Sequence, residues 1–506
     1  MRGRVHDLLV IGGGINGTGI ARDAAGRGLD VVLVEKDDLA QHTSSASTKL
    51  IHGGLRYLEM YDFALVRKAL IEREILLRAA PHIIWPMRFV LPHDKDQRPA
   101  WLIRLGLFLY DHLGGRKMLP PTKVLRRGKT DKLDPLKDEF RLAFEYSDCW
   151  VEDSRLVVLN AVDAKERGAD VLTRTACTKL VRHEDYWEAE LSSERGIETR
   201  SFKAVVNAAG GWVDAILGLA QPGANATHLR LVKGSHIIVP KWHDGEHAYF
   251  FQNGDGRIMF AIPYERGEFT LIGTTDIPYT ADKDKVEISQ EEIEYLCAGA
   301  SEYYQRAITP ADVVATYSGV RPLYDDHAAS ASKVTRDYVL HYDSDDGAPI
   351  LSVFGGKITT YRELAEEAVA ELAPVFEGLP HAWTKQASLP GGDIAAANFD
   401  AFLSGIVIAY PHLPIELLTR LARAYGTRAR ALLGDAASMS DLGREFGGGL
   451  TEREVTWLIE QEFAGTAEDV LRRRSKLYLH MTQEEQGAFT DWFATRQRTP
   501  NHKFGQ

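Results

Sequence analysis

Apolar and polar positions at the start of the chain predict a strand, a turn, a helix and a second strand. Residues 5–11 form an apolar run typical of a buried strand, and residues 18–27 repeat apolar positions at helical spacing. Residues 29–34 form a second apolar run of strand length. This order of elements is that of a βαβ unit, in which two parallel strands flank a helix.

The turn after the first strand carries the glycine spacing of a dinucleotide-binding site. Gly12, Gly14 and Gly17 fit the pattern GxGxxG. The first glycine permits the tight turn, the second lets a pyrophosphate approach the backbone, and the third lets the helix pack on the strand. Glu35 ends the second strand, where a carboxylate accepts hydrogen bonds from ribose hydroxyls and disfavours a 2′-phosphate. The spacing therefore predicts FAD or NAD as the ligand and does not separate the two.

Two later segments have the same strand-to-turn character and extend the predicted dinucleotide-binding domain. Residues 205–208 form a strand that leads into Ala209 and Gly210, small residues that let the main chain pass close to a flat ligand. Residues 351–354 form another strand, which is followed by the glycine doublet at 355–356 and a helix. The N-terminus of that helix can face a negative group. One domain is thus expected to form from three separated pieces of the chain.

The rest of the pattern predicts an inserted sheet and a helical C-terminal part. Short apolar runs between turns favour antiparallel strands at residues 231–240, 249–252, 257–263 and 269–273. Residues 398–495 have mostly helical patterns. We predict an α/β fold: a Rossmann-type dinucleotide-binding domain, an inserted antiparallel-sheet substrate domain and an all-helical C-terminal domain. The predicted boundaries are 1–80, 145–230 and 320–388 for the first domain, 81–144 and 231–319 for the second, and 389–506 for the third.

Composition and charge narrow the classes of function. The 506 residues are too many for one core, and the formal net charge of −11 argues against general nucleic-acid binding. Cys149, Cys177 and Cys297 lie far apart without metal-ligand spacing, so we predict three small buried side chains and no metal site. No uninterrupted apolar stretch reaches the roughly 20 residues that a membrane-spanning helix needs.

Several long motifs follow one another along nearly the whole chain. They are TSSASTKLIHGGLRYL at 43–58, KGSH at 233–236, IGTTD at 272–276, YSGVRP at 317–322, TRDY at 335–338 and FGGK at 354–357. In this order they resemble the motifs of the FAD-dependent glycerol-3-phosphate dehydrogenases. The resemblance implies oxidation of sn-glycerol 3-phosphate to dihydroxyacetone phosphate by hydride transfer from C2 to N5 of a non-covalent FAD. It also implies an amino-acid-oxidase-like architecture and electron delivery to a membrane quinone.

The same resemblance assigns site residues. His236 is the preferred base for the substrate hydroxyl, and Arg321 lies beside the reacting carbon, although the identity of the base stays open between these two. Phosphate and hydroxyl oxygens are expected to bind the basic and hydroxyl side chains of Arg56, Thr274, Arg336 and Lys357. FAD is expected to bind Gly12, Gly14, Asn16, Gly17, Glu35, Ser44, Ser45, Lys49, Leu50, His52, Ala209, Gly210, Asp276, Gly355, Gly356 and Thr359.

Two other functions share these features and stay open. An FAD-dependent amine or amino-acid oxidase would have the same dinucleotide fold, but it would need a carboxylate-binding pair rather than four basic residues. The same alcohol oxidation could use oxygen as its acceptor. The chain lacks the long inserted segment that sets apart the oxygen-using oxidases of this family, which favours a quinone.

One apolar stretch bears on the cellular location. Residues 101–110 (WLIRLGLFLY) are interrupted by Arg104, and residues 81–92 are also rich in large apolar side chains. The pattern fits an interfacial helix lying on a bilayer and fits a buried core helix equally well. Family analogy favours a cytoplasmic protein attached peripherally to the inner face of the cell membrane. The basic stretch at 471–480 is expected to be solvated or to contact lipid or a partner, and a homodimer is one option for assembly.

Overall fold

The computed structural model describes residues 4–94, 97–115, 117–221, 228–325 and 337–498. Within these ranges the chain forms twenty strands and thirteen α-helices. The strands are β1 (Val5–Ile11), β2 (Val31–Val34), β3 (Leu50–Ile51), β4 (Ile84–His93), β5 (Lys123–Arg126), β6 (Leu142–Val151), β7 (Asp170–Leu172), β8 (Thr175–Arg182), β9 (Trp187–Ser193), β10 (Gly196–Asn207), β11 (Leu229–Pro240), β12 (Ala248–Gln252), β13 (Ile258–Tyr264), β14 (Phe269–Gly273), β15 (Ile277–Pro278), β16 (Ala315–Tyr324), β17 (Val339–Asp343), β18 (Ile350–Phe354), β19 (Glu445–Gly447) and β20 (Leu450–Thr451). The helices are α1 (Ile15–Gly26), α2 (Arg56–Glu59), α3 (Phe63–Ala79), α4 (Ala100–Leu113), α5 (Asp153–Glu166), α6 (Val213–Ala220), α7 (Gln290–Ser301), α8 (Tyr361–Glu371), α9 (Phe399–Ala409), α10 (Ile415–Tyr425), α11 (Ala429–Leu433), α12 (Glu452–Glu462) and α13 (Gln483–Arg498).

The first sheet has the order β17-β18-β10-β1-β2-β7, and β8 and β9 extend it from β10. Its central strands β18, β10, β1, β2 and β7 are parallel. In β1, Leu8 and Val10 pack on one face with α1 and α8, whereas Leu9 and Ile11 pack on the other face. Both faces are buried, which explains why these strands have continuous apolar runs. The prediction of a Rossmann-type fold is confirmed, and its sheet takes strands from three separated parts of the chain.

The second sheet is mostly antiparallel and has the order β15-β11-β14-β13-β12-β4-β6-β3, with β16 paired to β11 and β5 to β6. It contains all four strands that the sequence predicted at residues 231–273. A single row of directly opposed residues crosses five strands of this sheet, and such residues point to the same face. The row is Tyr317, His236, Gly273, Phe260 and Phe250.

Two predicted domain boundaries cut strands of the second sheet. The boundary at 145 falls inside β6, whose strand partners are β3, β4 and β5. The boundary at 320 falls inside β16, which pairs with β11 from Ala315 to Tyr324. Both boundaries therefore belong after these strands. Polar residues interrupt β16, so its sequence has no regular strand alternation, and its pairing with a strand some 80 residues earlier is a tertiary property.

The C-terminal part has its own apolar core, built from α9 to α13. The prediction of a helical domain is confirmed, with one addition: β19 and β20 form a two-stranded hairpin. Three consecutive glycines (447–449) with positive φ make its turn, and so short a ribbon leaves little strand pattern in a sequence. The three cysteines are buried and free, as predicted.

The basic stretch at 471–480 is an internal contact between domains rather than a solvated or lipid-facing surface. Arg473 and Arg474 belong to a π-helical turn and bind Asp38, with Nε of Arg473 2.6 Å and Nη1 of Arg474 2.7 Å from Oδ2. Nζ of Lys476 donates to Oγ of Ser154 at 2.8 Å. All of these side chains are buried, including that of Ser154 near the start of α5. The expectation of a solvated or lipid-binding stretch was wrong, because the acidic partner lies more than 400 residues away in the sequence.

Candidate active site

The turn between β1 and α1 requires its glycines. Gly12 has φ of +114°, and a Cβ there would lie 2.5 Å from the carbonyl oxygen of Ala208. A Cβ on Gly17 would lie 1.9 Å from the carbonyl oxygen of Gly12. Ala209 follows Ala208 at the end of β10, so the predicted small residues of both segments meet at this turn. Only glycine keeps the backbone this close and leaves the N-terminus of α1 open to a phosphate.

Glu35 stands at the end of β2 and holds the same turn. Its Oε2 accepts from the backbone N–H of Gly13 at 2.6 Å, and its Oε1 accepts from that of Asp37 at 2.8 Å. Burial raises the pKa of Glu35, and these two hydrogen bonds partly offset the rise. Glu35, Asp37 and His42 also place side-chain atoms of the kind that can bind a metal ion within 4.8 Å of one another. A carboxylate fixed in this way can accept ribose hydroxyls with its remaining lone pairs.

The turn after β18 meets the start of α1. Nδ2 of Asn16 donates to the carbonyl oxygen of Gly355 at 3.0 Å, whereas Oδ1 of Asn16 is buried and finds no donor in the part of the chain that the structure describes. Gly355 and Gly356 have φ of +73° and +96°, and a Cβ on Gly356 would approach Nδ2 of Asn16 to 2.9 Å. A buried acceptor without a donor, beside two glycines, fits a flat ligand that carries its own N–H groups.

A cavity of about 360 Å³ opens beside these turns. Residues 43–57, the second sheet and the turn after β18 bound it. Oγ of Ser44 accepts from the backbone N–H of Ile15 at 3.0 Å, and Oγ1 of Thr359 accepts from that of His52 at 3.3 Å. The cavity brings together eleven predicted residues: Ser44, Leu50, His52, His236, Thr274, Asp276, Arg321, Gly355, Gly356, Lys357 and Thr359.

The other predicted residues lie outside this wall. Gly12, Gly14, Asn16, Gly17, Glu35, Ala209 and Gly210 belong to the neighbouring turns. Oγ of Ser45 donates to the carbonyl oxygen of His42 at 3.3 Å, inside its own loop. Arg56 begins α2 and is described only in its backbone, and Arg336 lies outside the described residues.

Lys49 supports the loop from behind instead of lining the cavity. Its Nζ lies 2.7 Å from Oδ1 of Asp153, and both side chains are almost fully buried. Nζ also donates to the carbonyl oxygen of Ser45 at 3.1 Å and lies 5.0 Å from the ring centre of Tyr317. The positive φ of Lys49, +60°, turns the chain at this point. The side chain of Lys49 therefore fixes the shape of the loop, and its part in cofactor binding stays a prediction.

His236 points into the cavity from β11 and is 1% exposed. Its ring stacks on Tyr317 with centroids 4.6 Å apart. It also lies against Gly273, where a Cβ would come within 2.0 Å of its Cδ2. Nε2 hydrogen-bonds Oγ1 of Thr48 at 3.0 Å, and Nδ1 has no partner among the described residues. Burial, followed by the positive charges of Arg321 and Lys49, lowers the pKa of His236 well below 6.5, so the ring is neutral and can accept a proton.

Arg321 projects from β16, four residues along the strand from Tyr317, which pairs with His236. Nη1 donates to Oδ1 of Asp276 at 2.8 Å, and Nη2 donates to Oγ1 of Thr274 at 3.2 Å. A Cβ on Gly234 would lie 2.6 Å from Nη2, so the absence of a side chain there lets the guanidinium lie flat over β11. A fixed cation therefore faces the same space as a neutral histidine, which suits a reaction that develops negative charge on an oxygen.

Lys357 supplies a second cation to the cavity. Its Nζ lies 4.2 Å from the ring centre of Tyr57, within range of a cation–π contact. His52 is nearby, and desolvation, followed by the charges of Lys357 and Arg73, lowers the pKa of His52 to about 4. His52 therefore adds no charge at neutral pH, and the basic character of this end comes from Lys357.

Comparison with known proteins decides the family. A family model described as FAD dependent oxidoreductase matches residues 7–362, and one described as the C-terminal domain of alpha-glycerophosphate oxidase matches residues 382–493. The chain belongs to the FAD-dependent oxidoreductase family. FAD is accordingly its cofactor, and the turns around Gly12, Glu35, Asn16 and Gly355 fit that group.

Relatives within the family match over nearly their whole length. The chain is 53% identical to D-erythritol 1-phosphate dehydrogenase of Brucella abortus, covering 96% of this chain and 97% of the relative. It is 52% identical to glycerol-3-phosphate dehydrogenase of Pseudomonas aeruginosa, covering 95% and 94%. It is 47% identical to aerobic glycerol-3-phosphate dehydrogenase of Escherichia coli K12, covering 97% and 98%.

A solved oxidoreductase shares the architecture. Glycerol-3-phosphate dehydrogenase of Bacillus halodurans, solved with FAD, superposes with a TM-score of 0.74 at 26% identity and covers 97% of this chain and 94% of that one. L-alpha-glycerophosphate oxidase of Mycoplasma pneumoniae superposes with a TM-score of 0.60 at 18% identity. The match covers 77% of this chain and 100% of that one, and the two share the same fold.

Sequence reasoning missed several cavity residues of this oxidoreductase. Thr48, which bonds His236, was inside a quoted motif but received no role, although a hydroxyl in a cofactor loop is a usable signal. Tyr317, which stacks on His236 but does not line the cavity itself, also stands in a quoted motif and received no role. Asp337 also lines the cavity and stands in the TRDY motif, where it received no role, whereas no motif marks Arg257.

Proposed function

We propose that the protein oxidises the C2 hydroxyl of sn-glycerol 3-phosphate to give dihydroxyacetone phosphate. The observation that carries the proposal is one cavity wall that holds a neutral buried histidine, His236, beside a fixed cation, Arg321. FAD, when bound, accepts the hydride that leaves C2. The dehydrogenases of Pseudomonas aeruginosa and Escherichia coli, about half identical to this chain, support the choice of substrate.

The residues divide the rest of the reaction. His236 takes the hydroxyl proton on Nε2, the nitrogen that already shares a hydrogen bond with the cavity hydroxyl of Thr48. Arg321 stabilises the oxygen as it loses that proton and becomes a carbonyl. Lys357 binds phosphate oxygens at the other end, and Arg56 and Arg336 are proposed to join it there. Loss of one proton and one hydride from the alcohol gives the ketone.

Anaerobic reduction of the bound flavin tests the substrate. Glycerol 3-phosphate is expected to bleach the visible absorption of the holoenzyme within one turnover, and an N-methyl amino acid is expected to leave it unchanged. Bleaching by the amine alone would establish an amine oxidase instead. D-Erythritol 1-phosphate belongs in the same panel, because the Brucella abortus relative is as similar as the glycerol-3-phosphate dehydrogenases. Faster bleaching by the four-carbon ester would show that D-erythritol 1-phosphate, rather than glycerol 3-phosphate, is the preferred substrate.

We infer that a membrane quinone, rather than oxygen, reoxidises the flavin. The absence of a long inserted segment in the sequence supports this acceptor, as does the similarity to dehydrogenases. Mixing substrate-reduced enzyme with a short-chain ubiquinone should restore the flavin absorption much faster than air-saturated buffer does. Rapid recovery in air, with stoichiometric hydrogen peroxide, would assign oxygen.

The surface of α4 supports peripheral attachment to the inner face of a cell membrane. Trp101, Leu105, Phe108 and Leu109 are exposed there, with Trp101 68% and Phe108 56% exposed. Monomeric proteins rarely expose a contiguous group of large apolar side chains without a partner. No helix within the described ranges is long and apolar enough to span a bilayer. A second copy of the chain is the other occupant to test, as in a homodimer.

Phe108→Glu should weaken binding to phospholipid vesicles. Full burial of one large apolar side chain contributes about 1.5–3 kcal/mol, so the loss should be about tenfold or more in partition coefficient. Vesicle co-sedimentation measures it, with Ile408→Glu as the matched control, since Ile408 is 79% exposed on α9 in the C-terminal domain. Equal binding of both variants would remove α4 from the membrane contact. Dissociation of a dimer by Phe108→Glu in vesicle-free solution would assign the surface to a second copy.

A further inference from the structure

Glu292 lies behind the cavity, at the start of α7, and has more hydrogen-bond donors than a helix cap needs. It forms a capping box with Ser289, whose backbone N–H donates to Oε2 at 2.9 Å. Such a glutamate needs no other partner to complete the cap. This one is 3% exposed, and three side chains donate to it as well. They are Lys233 at 2.7 Å, Ser235 at 2.8 Å and Thr275 at 2.8 Å.

Each hydroxyl donor adjoins a residue of the cavity. Ser235 precedes His236 on β11. Thr275 stands between Thr274 and Asp276, the two residues that bind Arg321. Because successive strand residues point to opposite faces, Ser235 faces α7 while His236 faces the cavity.

Cross-links between the donors extend the network to a third strand. Oγ1 of Thr275 accepts from the backbone N–H of Ser235 at 2.9 Å. Oγ of Ser235 also lies 2.8 Å from Oγ of Ser318 on β16, and Ser318 follows Tyr317, which stacks on His236. One carboxylate thus ties β11, β16 and the loop after β14 together at the level of the site.

The carboxylate is held ionised in this position. Burial alone would raise the pKa of Glu292, but Lys233, the Ser289 amide and the two hydroxyls outweigh it and lower the pKa. Hydrogen bonds to a charged acceptor are short and directional, so they fix the donors more tightly than neutral bonds do.

We propose that Glu292 is a positioning residue for proton transfer, one that sets the distance between His236 and the loop that orients Arg321. It acts through Ser235 and Thr275 and does not touch the substrate. The proposal rests on the proposed function. A misplacement of reacting groups by about 1 Å lowers a rate by roughly 100-fold, so loss of the charge should appear in the chemical step.

The test is Glu292→Gln, compared with Glu454→Gln. Glu454 is a matched control because it is also buried, at the same third position of a capped helix, α12, and is bonded by Arg420 and by the hydroxyl of Tyr425. It lies in the C-terminal domain, outside the cavity wall. Both variants should lower the melting temperature. In anaerobic stopped flow, Glu292→Gln should slow flavin reduction at saturating substrate by about 10- to 100-fold with the substrate Kd changed little, and Glu454→Gln should reduce at the wild-type rate.

A spectroscopic readout separates positioning from a general loss of stability. In ¹⁵N-histidine spectra of the oxidised holoenzyme, the His236 resonance, assigned by its absence in His236→Ala, should move in Glu292→Gln and stay in Glu454→Gln. A wild-type reduction rate for Glu292→Gln, or an equal slowing in both variants, would overturn the proposal. Should Glu292→Gln fail to accumulate as holoenzyme, Thr275→Val takes its place, and a wild-type rate in that variant overturns it as well. Wild-type enzyme that fails to bleach with glycerol 3-phosphate points instead to the proposed function, and the comparison then uses whichever ester bleaches it.

Discussion

His236→Ala is expected to slow anaerobic flavin reduction by roughly 100-fold or more, because a positioned general base contributes about 10²- to 10⁴-fold to such a step. The ring is neutral in the protein, bonded to Thr48 and enclosed by Tyr317 and Gly273. Its removal leaves the substrate hydroxyl without a proton acceptor while the cations of the cavity stay in place. Single-turnover stopped flow at saturating glycerol 3-phosphate measures the effect, and substrate Kd should change far less than the rate.

His82→Ala is the matched control for that variant. His82 is 0% exposed and so as buried as His236, but it lies against Gly391 and does not line the cavity. Its removal should leave the reduction rate intact. In the wild-type enzyme the rate should also stay flat as the pH falls through 6.5, since the pKa of His236 is lowered well below that value and the base stays unprotonated. A rate that titrates at 6.5, or an undiminished rate in His236→Ala, would assign the base elsewhere.

Gly17→Ala should yield protein that has lost most of its flavin. The new Cβ would lie 1.9 Å from the carbonyl oxygen of Gly12, a backbone atom that cannot move aside without opening the turn. Overpacking of this kind costs about 1–3 kcal/mol, which corresponds to a fall in flavin affinity of about 5- to 140-fold at 1.4 kcal/mol per tenfold. The ratio of visible flavin absorption to protein absorption, before and after incubation with FAD, measures it.

Gly218→Ala provides the comparison for the flavin measurement. Gly218 also lies in a helix, α6, but a Cβ there meets nothing within 4 Å. That variant should retain wild-type flavin content. Equal flavin content in the two proteins would show that the β1–α1 turn tolerates a side chain and would remove the steric argument for Gly17.

The sequence predicted best what local physics determines. The βαβ unit was predicted from the spacing of apolar residues and from glycines at positions where the backbone makes close contacts. Both signals lie within the first 35 residues. The strands β11 to β14 were found nearly to the residue, because each is short, apolar and bounded by turns. Eleven residues that were predicted from motifs line one cavity. They could be predicted because a cofactor-binding loop and a turn after a strand need the same residue types wherever they occur.

Pairings over long sequence distances were invisible to that reasoning. Lys49 was predicted as a cofactor residue from its motif, and its buried ion pair with Asp153 was not predicted. The two residues are 104 positions apart in the sequence, and no local pattern indicates such a pair. β16 has too irregular an alternation to be recognised as a strand, and only its neighbour β11 defines it. The role of Glu292 has the same origin: its sequence shows a helix cap, and only the folded sheet brings Ser235 and Thr275 to it.

The contact of Arg473 and Arg474 with Asp38 makes the C-terminal helices a poor candidate for modular exchange. Asp38 lies three residues after Glu35, in the loop that follows β2 of the first sheet. A chimera that joined this FAD-binding half to helices lacking both arginines would bury an uncompensated carboxylate, at a cost of about 3–5 kcal/mol. Asp38 and the two arginines should therefore be transplanted as one set, and the two halves of the chain inherited together.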